Sequence, residues 1–518
     1  MAQEARETTT RRHLSVRVTR RAALRGGLAL AAIPLLAACS QAPASSPTAA
    51  PTTAAAATQP TVAPTAASQP TTAATAAPTT AATAAPTVAP TTAATAQPTA
   101  AATAAATPVA AATPVSNIGG AVSVIATWGG DEQKNFLAMV KPWADQSGAK
   151  INYESTRDLN AVLTTRVKAG NPPDLAGLPG PGQMAQFAKD GKLVDLSTVL
   201  DMSAMKQQYA SSWLELAQAD GKQVGIFIKA ALKGTMWYNP KVFQQASYQV
   251  PKTWDDLMKL SSTIASSGKT PWSVGLESGA SSGWPAADLI DDIVLRQAGP
   301  DIYDSWYQGK TKWTSPEIKK AWQTWGQIMG DPKMIFGGKQ YALSTNFGKA
   351  ADPLFTNPPG AFLHYQATFI TSFIQQDNPN VKPVDDFNFF FFPTIDPKYS
   401  GAAEGSGDLF GMFKKTDQSS GLIKWLTTPD AQSIWVKAGG ALSPNKQVPL
   451  DTYPDAISKQ AAQILSNASL VRFGADDLMP SAMENAFWKG TLDYVGDPTK
   501  LDTILAHLDS VQATAYKS

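Results

Sequence analysis

Apolar and polar positions divide the chain of 518 residues into three parts. Residues 26–38 form an uninterrupted run of apolar and small residues, and residues 40–116 contain almost only Ala, Thr, Pro, Ser and Val. From residue 117 onwards, apolar residues recur with the spacing of strands and helices. This last part has about 400 residues, which is too long for one core and predicts two lobes.

The beginning of the last part alternates between strand and helix patterns. Ala121 to Trp128 is predicted to be a buried strand, Gly129-Gly130 a turn, and Glu132 to Gln146 a helix. Residues 149–155 are predicted to be a second strand, and residues 159–170 a second helix. Residues 171–180 are predicted to be a turn that leads into a third strand. The predicted buried face of the first helix comprises Phe136, Leu137, Val140 and Trp143.

Such alternation is typical of an open α/β sheet with parallel strands, in which ligands bind at the loops that follow the strand ends. The segment Gly129-Gly130-Asp131-Glu132 is a loop of this kind. We therefore expect an α/β fold with a ligand site at the carboxyl ends of its strands.

The amino-terminal residues have the composition of an export signal. Six arginines from Arg11 to Arg25 precede the apolar run, whose 13 residues are too few for a membrane-spanning helix, which needs about 20. The segment from Thr19 to Arg25 resembles a twin-arginine export signal. An ordinary secretion signal is the alternative.

Cys39 is the single cysteine of the chain, so it forms no intramolecular disulfide and no cysteine-based metal site. The segment Leu36-Ala37-Ala38-Cys39 resembles the lipobox of bacterial lipoproteins. That resemblance implies that residues 1–38 are removed as a signal peptide and that the sulfur of Cys39 carries a diacylglycerol. An incidental or buried cysteine is the alternative.

Residues 39–116 are predicted to be a disordered tether, because few bulky side chains and many prolines cannot offset the entropy of folding. Stretches of this composition are also plausible acceptors of O-linked sugars. The basic character of the chain belongs to the signal: residues 1–38 carry seven arginines against two glutamates, and the total of +2 leaves −3 for the remainder. A near-neutral exported part gives no reason to expect nucleic acid as a partner.

The segments that follow carry a family resemblance. The order strand, "WGGDE", helix, strand, helix, "GNPPDLAGL", and then "KGTMWYNPKVFQQASYQVPKTWDDL", resembles the extracellular solute-binding proteins of bacterial ABC importers, of the maltose-binding type (family 1). The resemblance covers residues 117–518 and includes "LMPSAMENAFWKGTLDYV" near the end. It implies a two-lobed periplasmic-binding-protein fold of type II, with a ligand cleft between discontinuous lobes. The implied lobes are residues 117–229 with 396–440, and residues 233–390 with 443–518.

The resemblance also implies a function. A substrate-binding lipoprotein of this kind captures a carbohydrate, either an oligosaccharide or a glucoside, and delivers it to permease subunits in the membrane that a cytoplasmic ATPase drives. We expect a monomer without cofactor or metal, anchored through Cys39 on the outer face of the cytoplasmic membrane.

Sugars present apolar C–H faces and a rim of hydroxyls, so their sites combine flat aromatic rings with polar side chains. Most of the 14 tryptophans, such as Trp322 and Trp325, follow helical spacing and are expected in the core. Three are expected either to contact the ligand or to pack. Trp128 stands at a strand end, Trp284 lies in a Gly/Ser-rich loop, and Trp488 matches the position where relatives stack a sugar ring.

Polar residues and glycines in predicted loops complete the predicted site. Asp131 and Glu132 either cap the first helix or bind hydroxyls. Arg472 and Asp477 either pair with each other or line the rim of the cleft. The full set of predicted polar and glycine positions is Gly129, Asp131, Glu132, Gly180, Glu277, Gln366, Asp408, Arg472 and Asp477.

An enzyme is the main alternative class. The histidines His13, His364 and His507 are far apart, which does not favour a Ser-His-Asp triad or a histidine metal site, and no GxxxxGK[ST] segment occurs. Neighbouring acids such as Asp255-Asp256 point in different directions, unlike the opposed carboxyls of a glycosidase. Binding without catalysis is therefore favoured. A surface glycoside hydrolase and a sugar receptor or adhesin without a transport role stay open as alternatives.

Overall fold

The computed structural model describes residues 117–517. The predicted signal, Cys39 and the tether lie outside the described residues. The strands are β1 Ala121–Ala126, β2 Lys150–Ser155, β3 Leu175–Leu178, β4 Gln218–Ala219, β5 Lys222–Gln223, β6 Gly225–Leu232, β7 Thr235–Tyr238, β8 His364–Tyr365, β9 Asn388–Phe391, β10 Ala402–Met412 and β11 Leu470–Phe473.

The helices cover most of the remaining chain. They are α1 Gly130–Ser147, α2 Leu159–Lys168, α3 Pro181–Lys189, α4 Met202–Gln208, α5 Ser211–Leu216, α6 Pro240–Gln245, α7 Trp254–Ser266, α8 Trp284–Gln297, α9 Pro300–Tyr307, α10 Pro316–Met329, α11 Gly338–Ser344, α12 Ile370–Asp377, α13 Asp417–Leu426, α14 Pro429–Ala438, α15 Ala456–Asn467, α16 Ala475–Leu478, α17 Ser481–Gly496 and α18 Leu501–Ala515.

The first lobe is built on a six-stranded sheet in the order β11-β10-β3-β1-β2, with β6 also paired to β10. The parallel pairing of β1 with β2 and β3 confirms the arrangement predicted for the first three strands. The strand β10 departs from that pattern, since it runs antiparallel to β3 and β6.

Helices cover both faces of this sheet because successive strand residues point to opposite sides. Val124 belongs to the core that also contains Phe136 and Trp143 of α1, whereas Ile125 belongs to the core on the other face. The prediction for Leu137 is wrong: its side chain is 36% exposed, because it lies at the edge of the buried stripe of α1.

The second lobe is richer in helix. Its three-stranded antiparallel sheet has the order β8-β7-β9. Its core includes Trp322 and Trp325, as predicted, with Phe487 of α17 against Trp322. Large aromatic side chains fill most of the space between these helices, since each one buries more apolar area than an aliphatic residue.

The lobes are joined by chain crossings rather than by one linker. The strands β6 and β10 pair with each other, from Gly225 opposite Gly411 to Leu232 opposite Gly405. The chain then continues from β6 through Gly234 into β7 of the second lobe. The strand β11 lies within the segment that was predicted for the second lobe, yet it pairs with β10 in the sheet of the first. The other lobe boundaries stay a prediction.

The Thr-capped helix predicted from "VPKTWDDL" is α7. The Thr253 hydroxyl accepts a hydrogen bond from the backbone N–H of Asp256, and the Asp256 carboxylate accepts one from the backbone N–H of Thr253. Two backbone donors of the first turn are therefore satisfied reciprocally.

We predict that Thr253→Ala lowers the free energy of unfolding by about 1 kcal/mol, because it removes this cap. Thr263→Ala in the same helix is the matched control, since the Thr263 hydroxyl only bonds the carbonyl of Lys259 on an exposed surface. Chemical denaturation of both variants measures the difference. Equal stability of the two variants would contradict the role of the cap.

Candidate functional site

A cleft lies between the two lobes. It encloses about 830 Å³, part of which is open to solvent. The first lobe contributes residues that follow β1 and β2, and the second lobe contributes residues of α8, α16 and α17. The floor is formed by the crossing that begins with β6 and by β10. The site therefore lies at the carboxyl ends of parallel strands, as the sequence pattern predicts.

The floor contains a buried ion pair on the side of the first lobe. The ammonium group of Lys229 lies 2.6 Å from a Glu132 carboxylate oxygen and 3.4 Å from one of Asp408. Lys229 and Asp408 are cross-strand partners in the register of β6 and β10, which explains why they meet. Burial on its own lowers the pKa of Lys229, but the two carboxylates outweigh burial and raise the pKa above its ordinary value.

A second lysine of the same crossing faces the second lobe. The ammonium group of Lys233 lies 2.7 Å from Asp288, 3.4 Å from Asp477, 3.5 Å from Glu404 and 3.8 Å from Asp476. Burial opposes the charged form of Lys233, yet four carboxyl groups hold its pKa well above the ordinary value. The ammonium of Lys233 is therefore charged, and four carboxyl groups of the protein surround it.

Aromatic rings form the walls. Trp128 is only 1% exposed, and its ring packs edge-on against Trp435 at 5.0 Å between centroids. Trp284 is half-buried and lies 5.1 Å from the ring of Phe347. Trp488 donates its indole N–H to a carboxylate oxygen of Asp476 at 2.9 Å, which fixes the orientation of the ring.

Arg157 spans the mouth of the cleft. Its guanidinium lies 3.6 Å from Glu132 in its own lobe and 5.0 Å from the ring centroid of Phe347 in the other lobe. Its carbonyl oxygen accepts a hydrogen bond of 3.4 Å from the Ser281 hydroxyl. These contacts join the two lobes across the opening.

Half of the predicted site residues line this cleft. The structure brings together Trp128, Glu132, Trp284, Asp408, Asp477 and Trp488. Gly180 lies directly behind them: a Cβ there would come within 2.6 Å of the Asp477 carbonyl oxygen, so only glycine allows this approach. Gly129 precedes α1 in extended backbone.

The remaining predicted residues have partners elsewhere. Asp131 pairs with Lys134 on the surface of α1. Glu277 accepts hydrogen bonds from Asn346 and from the N–H of Gly279, which lower its pKa.

Gln366 is fully buried, and its side-chain oxygen accepts from the N–H of Ala367. Arg472 forms a bidentate pair with Asp304, at 2.7 and 2.8 Å, and not the predicted pair with Asp477. None of Gly129, Asp131, Glu277, Gln366 and Arg472 lines the cleft.

Several lining residues were not predicted. Lys229 and Lys233 had a signal in the sequence, because two charged residues interrupt an otherwise apolar strand, "GIFIKAALKG". Asp288 had a similar signal, as one of three acids in the apolar helix α8. Arg157, Phe347 and Phe369 lie in loops or short turns without a distinctive pattern, and only the tertiary fold brings them to the cleft.

We predict that Lys229→Met lowers the free energy of unfolding by about 3–5 kcal/mol, because the buried Asp408 would lose its ammonium partner and Glu132 would keep only the more distant Arg157. Lys241→Met is the matched control: it breaks a pair with Asp386 in which the lysine side chain is 60% exposed, so it should change stability far less. Denaturant titration compares the variants. Similar losses of stability in both variants would show that the buried ion pair in the floor contributes no more to stability than the exposed pair.

Comparisons with known proteins agree with this architecture. Residues 126–433 match the family model of the bacterial extracellular solute-binding proteins. The chain is 36% identical over 376 residues to the "Osmoprotective compounds-binding protein GgtB" of Synechocystis sp., across 72% of this chain and 88% of the relative. It is 32% identical over 398 residues to the "Alpha-glucosides-binding periplasmic protein AglE" of Rhizobium meliloti, across 74% of this chain and 85% of the relative.

A solved structure of a chitin oligosaccharide binding protein has the same fold, with a TM-score of 0.68 at 20% identity, across 77% of this chain and 99% of that one. Between residues 117 and 517 no helix is both long and apolar enough to cross a membrane. The family consists of binding proteins that act outside the cell, so the chain is exported. By the family model and by two relatives above 30% identity, it belongs to the bacterial extracellular solute-binding proteins.

Proposed function

We propose that the cleft binds a carbohydrate, either an oligosaccharide or a glucoside, and that the protein delivers it to an ABC permease in the membrane. The observation that carries the proposal is the combination of aromatic rings and carboxylates in one interlobe cleft. Trp284, Phe347 and Trp488 provide apolar surfaces for the C–H faces of a sugar, and Glu132, Asp408 and Asp477 provide acceptors for its hydroxyls.

The names of the relatives support the same class of ligand. One is named for binding alpha-glucosides, and a structural neighbour is a chitin oligosaccharide binding protein. The other relative is named for binding osmoprotective compounds, which is a broader description.

Ligand binding would favour the closed arrangement of the lobes. The floor residues Lys229 and Lys233 lie on the crossing, whereas Trp128 and Trp488 belong to different lobes. A sugar between those rings contacts both lobes only when they are close, so it shifts the population towards the closed form. The permease, driven by its cytoplasmic ATPase, would bind that form of the monomeric protein.

The carboxyl groups of the cleft are arranged for binding rather than for hydrolysis. Glu132 and Asp408 both face the ammonium of Lys229, and Asp477 faces that of Lys233. A glycosidase instead places one carboxyl group as a proton donor and a second as a nucleophile or base on opposite sides of the scissile bond. We therefore propose that the sugar is released unchanged.

Titration calorimetry against a panel of mono- and oligosaccharides tests this function, with chromatography of each sugar afterwards. Saturable binding with intact sugar is the expected result. Cleavage of a sugar would indicate a hydrolase, and no binding across the panel would overturn the proposal.

We predict that Trp488→Ala weakens sugar binding by about 1–3 kcal/mol, because it removes an aromatic face from the cleft. Arg472→Gln is the control, since Arg472 pairs with Asp304 outside the cleft and should not affect affinity. Melting curves verify that each variant is folded at the temperature of the calorimetry. Unchanged affinity in folded Trp488→Ala would contradict the assignment of this wall.

We also propose that Cys39 carries a lipid anchor and that residues 40–116 tether the binding lobes to the outer face of the cytoplasmic membrane. The tether would let the lobes diffuse to the permease while they stay attached.

We predict that Cys39→Ser releases the exported protein from the membrane fraction, because serine lacks the thiol that is acylated. Ser40→Ala, the adjacent substitution, is the control and should leave the protein attached. Fractionation of expressing cells, followed by detection of the protein, gives the answer. Retention of Cys39→Ser on the membrane would exclude this anchor.

A further inference from the structure

We propose that the inner end of the cleft, where Asp288 and Asp477 lie beside Lys233, selects its ligand by charge. It accepts a neutral or amine-bearing sugar and rejects the same sugar carrying a carboxylate. Asp288 and Asp477 are the residues that impose this selection. The inference rests on the proposed function, because it specifies which class of carbohydrate the cleft takes.

The basic side chains of the cleft are already engaged by protein carboxylates. Lys229 is paired with Glu132 and Asp408, and Lys233 is surrounded by four acids. The side chain of Arg157 is 37% exposed, and its guanidinium lies against Phe347 and Glu132. Among the described lining residues, no base at the inner end is therefore left to pair with an anionic ligand.

Carboxyl groups at the inner end, in contrast, outnumber the bases. Asp288 is 1% exposed, and its second carboxylate oxygen has no hydrogen-bond partner although the residue lines the cleft. An unpaired buried acceptor is unfavourable, and a ligand hydroxyl or ammonium group would satisfy it. A ligand carboxylate has no proton to donate and would be repelled.

The groups around Asp288 and Asp477 reinforce this negative character. Two bases are present, Lys233 and Arg296, and Arg296 is paired with Asp292 on the same helix. The titratable groups that surround the two residues from other positions are Asp291 and Asp292 on α8, Tyr303 on α9, Tyr365 on β8, Glu404 on β10, Asp476 on α16 and Glu484 on α17.

The protonation of this cluster gives the selection a pH dependence. Burial raises the pKa of Asp288 to about 7, against the opposing effect of Lys233, and burial holds the pKa of Asp477 well above its ordinary range. A bound anion favours the protonated carboxyls, so its affinity rises as pH falls through the pKa of Asp288. A bound ammonium favours the ionised carboxyls, so its affinity falls over the same range.

Derivatives at carbon 6 of glucose provide a matched series of ligands. Methyl α-D-glucoside, maltose and trehalose are each compared with their 6-carboxylate, 6-carboxamide and 6-amino forms by calorimetry on the full exported protein. The carboxamide has the shape of the carboxylate without its charge, so this pair separates charge from size. Measurements at pH 6 to 8, on either side of the pKa of Asp288 at about 7, test whether ligand affinity depends on the protonation of this residue.

We expect the carboxylate to bind at least about tenfold more weakly than the carboxamide at pH 7, because like charges would face each other in a desolvated site. The amino form should bind at least as tightly as its parent, and the two charged forms should respond to pH in opposite directions. Equal affinity of carboxylate and carboxamide, or the same pH response for both charged forms, would overturn the inference while neutral sugars still bind. Failure of every parent and derivative to bind would instead overturn the proposed function, and the inference with it.

A substitution then tests the residues. Asp477→Asn should narrow the difference in affinity between carboxylate and carboxamide, since it removes an ionisable carboxyl group beside Lys233 without changing the size of the side chain. Asp451→Asn removes a carboxyl group at a fully exposed position and should leave the difference in affinity unchanged. If the ratio of carboxylate affinity to carboxamide affinity is identical in the two variants, Asp477 has no role in the selection.

Discussion

The arrangement of both lobes depends on two ammonium groups buried in the crossing between them. Lys229 and Lys233 are four residues apart, each is less than 5% exposed, and both line the cleft. A buried ammonium is unfavourable unless carboxylates surround it. The acids that do so come from α1 and β10 for Lys229, and from α8, β10 and α16 for Lys233. One short segment of chain therefore determines where elements of both lobes lie.

The same groups form the floor of the cleft, so the proposed ligand would bind beside residues that also stabilise the fold. Because β6 and β10 pair directly, Lys229 and Asp408 lie opposite each other in the sheet. The contacts at the mouth are of a different kind. Arg157 touches Phe347 and Ser281 of the other lobe through one ring contact and one long hydrogen bond, both of which are weak interactions.

Much of this architecture follows from local pattern. The first strands and helices, the Thr-capped α7 and the buried Trp322 and Trp325 follow from periodicity and capping, since those signals report on each segment alone. The partners of the charged residues do not follow from local pattern. Arg472 pairs with Asp304, which is 168 residues away, and Lys233 is surrounded by four acids from three elements, so only the folded chain defines their partners.

The site shows the same division. Trp128 and Glu132 were predictable because they follow the first strand, and Trp488 because its segment resembles that of relatives. Asp131, one residue before Glu132, points to Lys134 on the surface instead. Neighbouring residues on a helix differ by about 100° in direction, so a loop that is correctly located does not specify which of its two acids enters the cleft.

Hydrogen exchange, measured with and without the sugar of highest affinity, shows whether one ligand in the cleft contacts both lobes and the crossing. We expect slower exchange in the segments around Glu132, Lys233, Asp288 and Trp488 together, at the same sugar concentration. Protection confined to one lobe, or found only near Arg472 outside the cleft, would contradict a ligand that joins the two lobes.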